Sequence, residues 1–149
     1  MNLTQEKFYQ KYAWVLLFVL GILLSLTSLF IVISGGFDMS DFEMSTGVVW
    51  DEFTDLQPEV AAYVVRLLRL SGVGFAGFAL FAAALAWTGY RRGKRDAWYI
   101  MWLFPIILGG TAIVFFTADA AGLGAYYGGA AVIALLGLFL PYRKFFPEK

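Results

Sequence analysis

The chain has 149 residues, 60% of them hydrophobic and only 15% charged, and its eleven basic and eleven acidic side chains cancel. A soluble domain of that composition would expose more apolar surface than soluble monomers carry, so lipid is the expected solvent. With no cysteine and no histidine, disulfides, thiolate nucleophiles, axial-histidine haem sites and the usual zinc sites are excluded, and no cofactor is expected.

Four uncharged stretches, 13–33, 70–90, 97–118 and 120–142, each meet the roughly 20 residues that a helix needs to cross a bilayer. They predict an all-α membrane protein, a single domain over 1–149 folded as an up-and-down bundle of four transmembrane helices. The first stretch follows Lys7 and Lys11 and ends near Ser34, Gly35 and Gly36, the outline of a cleavable signal. Its apolar core exceeds the roughly 7 to 15 residues of a signal peptide, so it is expected to stay as a span.

The connection 35–57 is the longest outside the spans. Asp38, Asp41, Glu43, Asp51, Glu52 and Asp55 alternate there with Phe37, Met39, Phe42, Met44, Val48, Val49, Trp50, Phe53 and Leu56. So many large apolar groups do not suit a solvated linker, and the segment is expected to be an ordered extracytoplasmic cap over the mouth of the bundle. Its acids lack the spacing and glycine of a calcium-binding loop, so no metal is expected.

Pro58 suits the first turn of a helix and Asp55 its cap, and nothing breaks the chain between there and Tyr90. One helix over 58–90 would measure about 50 Å at 1.5 Å per residue, longer than the hydrocarbon layer is thick. Glu59, Ala62, Arg66, Arg69, Val73 and Gly77 share one of its faces. Arg66 and Arg69 are the only basic residues amid the acids. In one reading they reach outer-leaflet phosphates or pair with Asp51, Glu52 or Asp55. In the other, Arg66 and Arg69, offset by Glu59 and grouped with Trp50 of the cap, form a site for an anionic amphiphile, whose phosphate or carboxylate suits guanidinium forks.

Further along, Gly72, Ala76, Ala79 and Ala83 form a small-residue row that allows close helix approach. Asp96 is a candidate cap for the third span, and Pro105 predicts a kink within it. Asp119 is a candidate cap for the fourth span, Gly124, Gly128 and Ala131 give it a second small face, and Pro141 ends it.

Charge sets the orientation. Nine of the eleven basic residues lie before the first span, between the second and third, or after the fourth. The positive-inside rule makes that side cytoplasmic, with both termini inside, in a multi-pass protein of the inner membrane. Tyr12, Trp14, Trp87, Tyr90, Trp98, Tyr99 and Tyr142 then fall at the cytoplasmic interface as an aromatic girdle, with Phe115, Phe116, Tyr126 and Tyr127 at the opposite one. No Asp, Glu, Lys, Arg or His lies mid-span, which argues against proton-coupled transport, voltage sensing and intramembrane catalysis.

The turn Tyr-Arg-Arg-Gly-Lys-Arg-Asp-Ala-Trp-Tyr at 90–99, leading into a span with Pro105, resembles a widespread type of small bacterial four-helix membrane protein. Together with 62–85 it is loosely similar to DoxX-like families. The resemblance implies the fold and a prokaryotic source, and brings no active-site residue. The leading functional expectation is a non-enzymatic interaction or accessory subunit, as a homo-oligomer or in a larger membrane complex, with no nucleic-acid partner. The second is a binder of a lipid or other anionic amphiphile between bundle and cap, and the third an oligomeric pore.

Overall fold

The computed structural model describes residues 8–34 and 39–146, and these are helical nearly throughout, with no strand among them. In chain order the elements are α1 (Phe8–Ser34), α2 (Ser40–Thr46), α3 (Trp50–Leu56), α4 (Pro58–Leu85), α5 (Arg95–Met101), α6 (Leu103–Thr117), α7 (Ala121–Phe139) and α8 (Tyr142–Phe145). A π-helical turn, Ala86–Tyr90, closes α4. Four stretches are long and apolar enough to cross a membrane: Lys11–Ser34, Pro58–Tyr90, Arg95–Thr117 and Ala121–Phe139. Leu23, Leu26, Leu80, Phe81, Ile106, Ile113, Val132 and Phe139 stand exposed on their outer faces. So many large apolar side chains on the outside imply a lipid bilayer environment.

Helix ends follow backbone chemistry more than side-chain caps. Pro58 opens α4 as expected, its missing N–H costing nothing where no intrahelical partner exists. The cap itself is Gln57, and Asp55 lies within α3. Nor does Asp96 cap the third span: it sits in the first turn of α5, after Lys94 at the cap position. Asp119 is likewise displaced from the role assigned to it. It adopts a left-handed φ of 58° between α6 and α7, and the Ala120 amide reaches back to the Phe115 carbonyl at 3.0 Å. That is the closing bond of a left-handed helix C-terminus, so Asp119 ends α6 and Ala120 starts α7. Pro105 acts as predicted. Without its N–H the Met101 carbonyl loses a partner, and the third span breaks at Trp102, whose amide turns to Tyr99 O at 3.3 Å.

Small residues decide which helices meet. A β-carbon on Gly21 would sit 2.8 Å from the Ala79 carbonyl oxygen, and one on Gly72 would sit 2.8 Å from Val32 Cγ2 and 3.0 Å from Ser28 O. These contacts pair α1 and α4 in opposite chain order, through Ala76, Ala79 and Ala83, which are all buried. Gly124 lies under the Phe116 ring and Gly128 beside Ala112, so α6 and α7 form a second antiparallel pair. The pairs join where Gly137 of α7 receives Leu17 of α1. In lipid, where apolar side chains gain nothing by leaving the solvent, such close backbone approach is a main source of association.

The basic end of the bundle is filled by rings. Tyr90 is only 2% exposed, and its hydroxyl donates to Gly137 O at 2.7 Å. Trp98 Nε1–H donates to Leu138 O at 3.2 Å, and the indole packs edge-on against Tyr99, Trp102, Tyr142 and Phe146. Tyr90 and Trp98 therefore belong to the interior and not to a lipid-facing girdle, because each has a free carbonyl on α7 to satisfy. Trp14 and Trp87 do remain near the surface, with the Arg91 guanidinium 5.0 and 4.8 Å from their ring centroids. Arg95 Nε–H donates to Phe145 O at 2.9 Å and fastens α8. Tyr90→Phe keeps the ring and strands the Gly137 carbonyl, so it should destabilise by about 1–3 kcal/mol, read as a lower melting midpoint in detergent.

Candidate functional site

Two hollows flank α4 at the end away from the basic turn, and the chain 39–57 covers both. Its two short helices are tied together. Gly47 takes a φ of +70° after α2, a conformation cheap only for glycine. The reversal brings the Glu43 carboxylate to the start of α3, where Oε1 accepts the Trp50 amide at 3.0 Å. Phe42, Trp50 and Phe53 then meet with ring centroids 5.0 to 5.7 Å apart. The described part of this segment is thus ordered, with a small aromatic core of its own. Asp38 lies outside the described residues. Among the described residues no group of three acids converges as a metal site.

The first hollow, about 450 Å³, lies between α3 and α4 and is lined by Trp50, Thr54, Pro58, Ala61, Ala62, Val65, Arg66 and Arg69. Three of the four residues nominated from sequence, Trp50, Arg66 and Arg69, come together here. Glu59 does not, although it shares their helix face. Arg66 and Arg69 are exposed, and among the described residues neither makes an ion pair or a hydrogen bond, with Asp51, Glu52, Asp55 or any other group. Two guanidinium groups one turn apart, over an apolar floor and beside an indole, present up to ten N–H donors with no carboxylate among the described residues to receive them.

The second hollow is larger, about 910 Å³, and apolar. It opens between the α1–α4 and α6–α7 pairs, since α4 scarcely touches α6. Phe75, Leu68, Ile107 and Val114 wall it, the stacked pair Phe115 and Tyr127 backs it at 5.4 Å, and Met39 and Phe42 of the cap roof it. Among the described residues no charged side chain lines it. This apolar crevice is a separate hollow from the one that gathers Trp50, Arg66 and Arg69. Along α4 the row Val64, Leu68, Ser71, Phe75 points roughly a third of a turn away from Ala62, Val65, Arg66, Arg69, and the two hollows share no lining residue. No signal in the sequence marked the crevice, because its lining comes from five helices.

Comparison with protein-family models, curated proteins and solved structures yields no match to this chain. The chemistry of the two hollows is the basis for a functional reading.

Proposed function

We propose that the protein is a multi-pass protein of a cytoplasmic membrane that holds an anionic amphiphile at its outer face, with the headgroup on Arg66 and Arg69. In this reading the four spans run up and down, both termini are cytoplasmic, and α2 and α3 cap the bundle outside. The charge sorting of the sequence supports that orientation. The observation that carries the ligand class is the hollow that gathers Trp50, Arg66 and Arg69 with both guanidinium groups free of acidic partners among the described residues. Phosphate and carboxylate oxygens match that donor set in charge and geometry. Glu59 has no direct part in it.

Replacing Arg66 and Arg69 together by glutamine tests the reading. Hydrogen bonds to charged groups are worth about 1.5–3 kcal/mol each, so losing two should lower retention of anionic lipid by more than tenfold. Native mass spectrometry of protein exchanged into anionic and zwitterionic nanodiscs measures this directly. Equal retention by wild type and the double variant overturns the headgroup assignment.

An accessory role beside another membrane protein is the second reading. Gly74 and Gly77 favour it: a β-carbon at either would meet nothing within 4 Å, which leaves the outward side of α4 open to close approach by a further helix. The DoxX-like resemblance is compatible with both readings and adds no residue to either.

A further inference from the structure

We propose that the crevice between the two helix pairs is a second, separate binding site, which takes the hydrocarbon chain of an uncharged amphiphile from the outer leaflet. The inference rests on the membrane reading but not on the arginine hollow. Three features of the crevice choose the occupant.

The first is charge. A cavity of about 910 Å³ with no acid or base among the described residues of its lining offers an ionised headgroup little there to offset its desolvation. The second is the state of its hydroxyls. Ser28 donates to Leu24 O, Ser71 to Leu68 O and Thr111 to Ile107 O, at 2.8, 2.8 and 2.9 Å. Their protons are committed to their own helices. Water needs two to four polar partners to settle in such a space, and an apolar cavity stays dry or takes an apolar guest. The Tyr127 hydroxyl makes no hydrogen bond among the described residues. It is a donor open to an oxygen acceptor on the guest, an ether, ester or ketone.

The third feature is access. The α1–α4 and α6–α7 pairs part at the crevice, where α4 and α6 scarcely touch, while Phe78 and Phe104 meet one turn below with ring centroids 5.6 Å apart and close the lower end. Above, α2 lies across the mouth. In the membrane reading a hydrocarbon chain would enter between α4 and α6 from the bilayer, with α2 above it and the Phe78–Phe104 pair below it.

Two glycines make the test clean. Gly110 and Gly122 line the crevice, yet a β-carbon on either meets nothing within 4 Å, so a phenylalanine there starts from open space at the crevice wall. Gly129 has the same freedom and lies outside the lining. The full-length protein in zwitterionic nanodiscs is irradiated with a long-chain alcohol carrying a diazirine, and adducts are mapped by mass spectrometry. Wild type and Gly129→Phe should concentrate adducts on the crevice segments of α4 and α6. Gly110→Phe and, independently, Gly122→Phe should lose most of them while keeping the wild-type melting midpoint and the retention of anionic lipid by Arg66 and Arg69. Adducts spread evenly over outward residues such as Ile113 and Val132, or undiminished in both filled variants, overturn the proposal. So does a dimer on native gels that disappears in Gly110→Phe with labelling unchanged, which assigns the crevice to a second copy of the chain. Loss of anionic lipid in the double glutamine variant with crevice labelling intact leaves the two sites distinct. Failure of the arginine assignment alone does not touch this one.

Discussion

Gly21→Leu is expected to open the seam between α1 and α4 and to leave the protein unfolded in mild detergent at temperatures where the wild type is intact. The new β-carbon alone would lie 2.8 Å from the Ala79 carbonyl oxygen, 3.0 Å from Ala83 Cβ and 3.1 Å from Ala83 N. Two of those three atoms are backbone in the middle of a long helix, so no rotamer change relieves the clash. Overpacking a close interface commonly costs about 1–3 kcal/mol, and an obstacle that cannot rotate away places this substitution at or above the upper end. Gly74→Leu is the matched control. Its β-carbon meets nothing within 4 Å, and leucine is favoured over glycine in a helix by roughly 0.5–1 kcal/mol. Circular dichroism melts of both variants check the contrast, which requires a large loss for Gly21→Leu and none for Gly74→Leu. An equal effect of the two would mean that α1 and α4 do not pack through this glycine. The functional consequence follows from connectivity. The α1–α4 seam holds α4 in place next to α3 and beside α6, so both hollows should be lost with it.

What could be read in advance depended on whether a feature is local. Span lengths follow from uninterrupted apolar runs, and the helix start at Pro58 from proline's geometry. The break near Pro105 follows from a missing donor. The small row Gly72, Ala76, Ala79 and Ala83 marked its own interface by its spacing. Gly21 and Gly137 did not, because a single glycine in an apolar run says nothing about what approaches it. Tyr90 and Trp98 were misplaced for a related reason. An aromatic near a span end fits a lipid-facing girdle as well as an interior plug, and only the carbonyls of Gly137 and Leu138 decide between them. Asp55, Asp96 and Asp119 have the side chains of caps, but the turns before α4, α5 and α7 are closed by backbone bonds one or more residues away.

The candidate site was half legible by the same measure. Helical periodicity placed Arg66 and Arg69 on one face, and the apolar content of 35–57 indicated an ordered cap. Whether Trp50 sits over that face depends on the reversal at Gly47 and the Glu43 bond to the Trp50 amide, which are matters of backbone geometry. Glu59 shows the limit of periodicity. It shares the arginines' face yet stays out of their hollow, although Pro58 and Ala61, its neighbours in the same turn, line that hollow.

Trp98→Ala is the other substitution with a large expected effect, for a different physical reason. Gly21→Leu adds atoms where there is no room, whereas Trp98→Ala removes the centre of a ring cluster. The indole is 8% exposed and is in contact with Tyr99, Trp102, Tyr142, Phe145 and Phe146, with centroid separations of 5.2 to 6.5 Å. Truncating a buried aromatic to alanine typically costs about 3–5 kcal/mol, much of it from the cavity left behind. Here the neighbours cannot close in easily, because the Arg95 bond to Phe145 O holds α8 on one side and the Tyr90 bond to Gly137 O holds α7 on another. The Leu138 carbonyl also loses its donor. Trp98→Phe separates the two contributions. It keeps a ring in the cluster and removes only the N–H, so it should cost closer to the 1–3 kcal/mol of an unsatisfied buried acceptor. Detergent melts should therefore rank wild type above Trp98→Phe and Trp98→Ala lowest, with the alanine variant also exposing the segment 142–146 to protease. If Trp98→Ala melts with the wild type, the ring cluster does not hold the basic end together, and α8 is fastened by Arg95 alone.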